Sequence, residues 1–207
     1  MAYIAPAEKY QQLVSEKRVW LSDITQPTHF VECVIMWDDS TNQLHDVCFE
    51  NCRFQECDFS NFELLDVSFK KCDLSNVLFH NAILYRTEFY QAKLLGTEFL
   101  QTTMKHVGFF DSVINYGQFS ESKFKECQFK KCELKETLFR YVTLNDVLFD
   151  YCELHDSDFT ETSFKGIDLS TCEFDTIQIE ANALKGLTVR FDQAASLLPP
   201  LGVTIKY

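Results

Sequence analysis

The sequence predicts an all-β fold in which the chain winds into a four-sided solenoid of stacked, parallel coils. Three observations predict it. Large apolar residues recur at every fifth position from Phe49 to Val189 without a slip. Small residues recur two positions ahead of them. The kind of large residue repeats again every fourth step of that series.

The large series runs through 29 positions, of which sixteen are Phe and nine are Leu. A period of five is neither helical nor that of a flat strand. It requires a chain that turns a corner every fifth residue, with one large and one small side chain inward and the rest outward. The small class includes Cys52, Cys57, Cys72, Ala82, Ala92, Ser112, Ser122, Cys127, Cys132, Cys152, Ser157, Thr162 and Cys172, with larger members such as Phe62 and Val67. Phe49, Phe69, Phe89, Phe109, Phe129 and Phe149 form one column, and Phe59, Phe79, Phe99, Phe119, Phe139 and Phe159 form another. The columns between them are mainly aliphatic. A coil of three sides or of five would mix these classes, so the coil has four sides. Stacked about 4.8 Å apart, roughly seven coils over residues 47–190 give a rod of about 35 Å.

Residues 1–46 lie outside that register. Thr28, Phe30, Cys33 and Ile35 fit the same phase displaced by one, so a loop near Met36–Gln43 must absorb the slip. Before it, Pro6 to Lys17 is predicted as a short helix, with Pro6 near its start and Tyr10, Leu13 and Val14 on one face. Residues 191–207 form a third unit. Phe191 to Leu198 reads as a short helix with Asp192 as N-cap, ended by Pro199 and Pro200. Leu201 to Ile205 alternates as a strand. So short a helix is unstable alone, and its apolar residues need either the last coil or a second copy of the chain to cover.

A net charge of -12 argues against direct binding to nucleic acid and leaves a basic partner open. No apolar run approaches a membrane span, and the N-terminus lacks a signal-peptide pattern; a cytoplasmic protein is the expectation. Seven of the nine Cys occupy the small inward position. A metal ladder or stacked disulfides would use them, but Ala92 and Ser112 fill the same column, which favours packing. The histidines lack metal spacing, and no phosphate loop is present. We therefore expect no catalytic residues, no metal and no cofactor.

Stretches such as Cys57-Asp58-Phe59-Ser60-Asn61 and Ser157-Asp158-Phe159-Thr160-Glu161 closely resemble the motif of the pentapeptide-repeat family. That resemblance implies a right-handed, quadrilateral β-helix. The ending, with Gln193, Leu197-Leu198 and Leu201-Gly202-Val203, is similar to that of the quinolone-resistance group of Qnr and MfpA type. It implies a homodimer joined through Phe191, Gln193, Ala194, Leu197, Leu198, Leu201, Gly202 and Val203. It also implies a rod that imitates DNA and binds DNA gyrase or topoisomerase IV. Nothing interrupts residues 47–190, whereas Qnr proteins of Gram-negative type carry a longer loop there, so drug protection that depends on such a loop is not implied.

The residues offer three candidate surfaces. Glu133, Glu136, Glu153, Asp156, Glu173 and Asp175 fall on one side of successive coils, with Lys135 the only opposing charge among them. Stacked like charges repel, which points to a basic partner or to plain solubility. Against a uniformly acidic rod, Lys123, Lys125, Lys130, Lys131, Lys135 and Arg140 cluster mid-rod, and Lys105, Lys125, Lys165 and Lys185 share a column. The loop bearing Trp37, Asp38 and Asp39 is a smaller candidate, its Trp either a contact residue or a cover for the first coil. Leu65, Tyr85, Tyr90, Leu95, Leu100 and Phe110 are predicted outward and apolar, as an adaptor rod would need.

Overall fold

Corners decide how this chain folds. Every fifth residue from Asp46 to Gly166 has a positive φ, without a gap. The left-handed conformation costs an ordinary residue about 1–2 kcal/mol. Asn and Asp, which tolerate it best, hold many of these corners, among them Asn51, Asn61, Asp66, Asn76 and Asn81. The turn is offset by the ladder it completes. The corner N–H donates to a carbonyl of the next coil, as from Asn51 to Lys70 O at 2.8 Å and from Asn61 to His80 O at 2.7 Å.

The result, a computed structural model that describes residues 3–199 and 202–204, is a right-handed, four-sided parallel β-solenoid of about eight turns. Its strands begin with β1 (Gln12–Ser15), β2 (Arg18–Trp20), β3 (Thr28–Val31), β4 (Val34–Met36), β5 (Gln43–Glu50) and β6 (Arg53–Gln55). They continue with β7 (Glu63–Lys70), β8 (Ile83–Tyr90) and β9 (Thr103–Phe110), followed by shorter strands up the rod. The long strands bend through left-handed corners at Asp46, Asp66, Arg86 and His106 and so serve two sides each. Their register is one full coil of four pentads: Phe49 pairs with Phe69, Phe69 with Phe89 and Phe89 with Phe109.

The core is the predicted one. Of the large series, all but Phe54, Leu144, Leu184 and Val189 are buried. The two Phe columns stand on opposite sides and stack along the axis, with ring centroids 4.7 Å apart for Phe109–Phe129 and 4.9 Å for Phe99–Phe119. Across the axis they meet edge to face, as Phe109 does Phe119 at 5.9 Å. Both arrangements suit the aromatic quadrupole. The small inward residues have a second task. Donors among them reach the carbonyl of the large residue one coil below: Cys72 Sγ to Phe49 O at 3.4 Å, Ser112 Oγ to Phe89 O at 3.3 Å, Thr137 Oγ1 to Ile114 O at 3.2 Å. Cys, Ser and Thr interchange here because each is small and carries a donor, while Ala82, Ala92 and Val67 fill the same position by packing alone.

The N-terminal segment differs from its prediction. No helix spans Pro6 to Lys17; residues 12–15 are β1, the first rung of the sheet. Val14 lies beneath Phe30, and Phe30 beneath Phe49, so the first two coils are shorter than the four full pentads of those that follow. The one-residue slip is absorbed where it was expected, since Met36 pairs with Gln55 and Gln43 with Glu63. These added rungs bring about seven predicted coils to about eight.

Ahead of β1, residues 3–10 form no regular structure and run along the axis over one side of the rod. The Tyr3 hydroxyl donates to Glu88 at 3.2 Å and its ring packs on Phe110 at 5.8 Å. Ala7 N–H donates to Asp66 at 2.9 Å, Glu8 pairs with Lys70 at 2.6 Å, and Tyr10 lies against His29 at 5.6 Å. Asp66 is itself held by two hydrogen bonds from Arg86. Beneath this strap the outward column is small: Cys48 and Ser68 are fully buried, and Gly108 leaves no room, since a Cβ there would stand 2.8 Å from the Tyr3 hydroxyl.

Candidate functional site

The acidic residues come together as the sequence placed them. Glu133 bridges to Glu153 and Glu153 to Glu173, one above another on a single side. Glu136 and Asp156 occupy the adjoining left-handed corner. Repulsion is relieved from within for some of them. Lys135 pairs with Glu153 at 2.7 Å, and that bond holds the ammonium above its ordinary pKa. His155 Nδ1 accepts the Asp175 N–H at 3.1 Å, and Asp156 accepts from the Thr176 hydroxyl. Glu133 accepts from Asn115 at 3.2 Å. Among the described residues, Glu133, Glu136 and Asp156 have no cationic partner.

Two further residues belong to this side, and the sequence reading missed their part in it. Arg190 pairs with Glu173 at 3.1 Å and with Asp192 at 3.2 Å. The acidic side thereby runs on into a cleft of about 780 Å³, where Asp175 and Asp192 face Ala195, Pro199 and Val203. Stepping by five ends at Val189, so a residue placed by a helix beyond it carried no signal.

The C-terminal helix α1 (Phe191–Ser196) forms as expected, but its N-cap is Arg190, not Asp192. The Gln193 side chain accepts the Arg190 N–H at 2.7 Å, which fixes the first turn earlier in the chain and leaves Asp192 to bind the guanidinium. Gln193 is 3% exposed and donates to Leu169 O and Cys172 O at 3.0 and 2.7 Å; Leu197 joins the core. These two residues cap the last coil. Phe191, by contrast, is 97% exposed, and Leu198 and Val203 are also exposed, with Ala194 half-buried and Gly202 exposed. Leu201 lies outside the described residues, as does Ile205 of the predicted strand; Val203 and Thr204 are not in a strand.

In the loop, Trp37 is half-buried against Phe62 at 5.7 Å. Asp38 accepts from Ser40 and from Ser22 N–H, and the Ser40 hydroxyl above all lowers its pKa to about 2. Asp39 is exposed. Of the expected apolar patch, Tyr90 is exposed and Phe110 sits beneath Tyr3, while Leu65, Tyr85, Leu95 and Leu100 are half-buried. Burial pushes the Cys52 and Cys57 thiols up to about 12, which disfavours the thiolate that nucleophilic or metal chemistry needs. Among the described residues no cluster of three or more His, Cys, Asp or Glu could hold a metal, and no helix is long and apolar enough to cross a membrane.

Comparison with known proteins agrees with this geometry. The profile of the pentapeptide repeat region matches residues 42–119, 62–139 and 119–189. No curated protein matches the chain. Among solved structures, one trypsin-treated variant of QnrB1, a plasmid-mediated fluoroquinolone resistance protein, is 22% identical; the match covers 95% of this chain and 98% of that one, with a TM-score of 0.53. A second QnrB1 variant gives 21% identity, 94% and 99% coverage and a TM-score of 0.54. HetL, a pentapeptide repeat protein of heterocyst differentiation regulation from the cyanobacterium Nostoc, gives 9% identity, 88% and 83% coverage and a TM-score of 0.41. The chain belongs to the pentapeptide-repeat family.

Proposed function

We propose that this pentapeptide-repeat rod is a cytoplasmic DNA mimic, which binds a type II topoisomerase, DNA gyrase or topoisomerase IV, and protects it from quinolones or toxins or modulates it. The observation that carries the reading is the ladder Glu133, Glu153 and Glu173 with Glu136 and Asp156 at its edge, a line of carboxylates along a straight rod. The fold shared with a fluoroquinolone resistance protein supports it. Two rods meeting through Phe191, Leu198 and Val203 would double the length of the acidic side, and those residues are exposed as such a contact needs. Arg and Lys of the enzyme would pair with the carboxylates, making the binding sensitive to salt.

The test is DNA supercoiling by gyrase, with and without a fluoroquinolone, across a titration of the purified protein. Inhibition at high protein, or rescue from the drug, is expected. Reversing Glu133, Glu153 and Glu173 to Lys should abolish either effect while the rod stays folded by circular dichroism. An unchanged effect would sink the acidic-face reading. The second reading, an adaptor rod for an unrelated protein, draws on exposed Tyr90 and Ile83; binding energy located there would favour it.

A further inference from the structure

The outward column under residues 3–10 is shaped for the chain that lies on it. Farther up this column the side chains are full, Gln128, Leu148 and Asp168 following Gly108. Only where the strap runs does the column read Cys48, Ser68, Glu88, Gly108. The small residues make a trough, and Glu88 supplies an acceptor part-way along it. Asp66, fixed by Arg86, offers a second acceptor to a backbone N–H, and Lys70 offers a cation. Phe110 closes the far end as an aromatic platform.

The occupant is held at points rather than along a ladder. Within residues 3–10 only Pro6 is buried, while Ile4, Ala5, Glu8 and Lys9 are exposed. Segments with few buried contacts and no ladder of paired backbone open at low cost. We infer that this side of the rod is a peptide-binding trough, occupied in this chain by its own N-terminal segment and open in trans to extended peptides that carry a tyrosine, then a proline and then an acidic residue at the spacing of Tyr3, Pro6 and Glu8. Those three set the pattern: the phenol for Glu88 and Phe110, the buried ring of Pro6, the carboxylate for Lys70. Tethering gives the strap a high effective concentration, so a free peptide gains access only when the strap is lifted or removed. The trough lies on a different side from the acidic ladder, and the inference does not depend on the topoisomerase reading.

The experiment uses a fluorescent peptide of residues 3–11 and a chain lacking residues 2–11, shown to be folded by circular dichroism. Fluorescence anisotropy should report saturable binding to the shortened rod, roughly 100-fold tighter than to the full chain. Glu88→Ala in the shortened rod should weaken it by about tenfold. A folded, shortened rod that does not bind the peptide, or equal binding by both proteins, would overturn the inference. Should the shortened rod fail to fold, the full chain answers instead. Tyr3→Ala should speed trypsin cleavage after Lys9 by about tenfold with other sites unchanged, and an unchanged rate would overturn the idea equally.

Discussion

At the scale of single residues, the corners reveal which positions are fixed by backbone rather than by side chain. Tyr116, Tyr141 and Tyr151 hold left-handed corners with φ of 63°, 56° and 52°, and their rings are mostly in solvent. A bulky side chain there contributes little packing and bears the full conformational cost. Tyr151→Asn is therefore expected to raise stability by roughly 0.5–1 kcal/mol, read as a shift of the urea midpoint; a lower midpoint would show that the exposed ring matters. The inward small position obeys a different constraint: it must be compact, and where it holds Cys72, Ser112 or Thr137 it also donates to the coil below. The preference for Cys, Ser and Thr is visible in the sequence. The bond from Cys132 to Phe109 O, at 3.3 Å, is not, because the carbonyl it reaches lies a full coil back along the chain.

At the scale of elements, the strap is the part the sequence hid. Tyr10, Leu13 and Val14 have helical spacing, but Val14 enters the sheet beneath Phe30 and Leu13 is 70% exposed. The first coil, from Val14 to Phe30, falls short of four pentads, so no column revealed it. The coils from Phe49 onward were legible because their period is strict and the two Phe columns stack like on like. In the sequence the strap leaves only the small residues Cys48, Ser68 and Gly108 in one column, interrupted by Glu88. The strap also alters a carboxyl group. Burial raises the Glu88 pKa, against a lowering by the Tyr3 hydroxyl. A carboxyl whose folded pKa is raised favours the fold below the ordinary carboxylate range, and that contribution is lost as pH rises through the folded value. Glu88→Gln should therefore match the parent in stability near pH 4 and exceed it at pH 7, by urea unfolding at both. A gap that does not change with pH would show that Glu88 is not strained by its cover.

At the scale of the whole molecule, a solenoid is a stack in which each coil knows only its neighbours, so its ends decide whether the stack closes. Gln193 closes the upper one by supplying two donors to the carbonyls of Leu169 and Cys172 and an acceptor to Arg190 N–H. Gln193→Ala leaves those groups short of partners and is expected to cost about 1–3 kcal/mol, measured by urea unfolding; a loss within error would mean that Leu197 alone caps the rod. The candidate surface was only half legible at this scale. Sequence columns placed Glu133, Glu153 and Glu173 correctly on one side, but Arg190 and Asp192 reach that side through a helix that no repeat foretold. One consequence concerns how the rod meets a partner. Lys105, Lys125, Lys165 and Lys185 stand on the side opposite the carboxylate ladder, and none of the four is in an ion pair among the described residues. The upper coils of the rod therefore carry opposite charge on opposite sides. A basic groove exerts a torque on such a body before contact and turns the carboxylates toward itself, so that of the four sides the rod could present, approach in solution selects one.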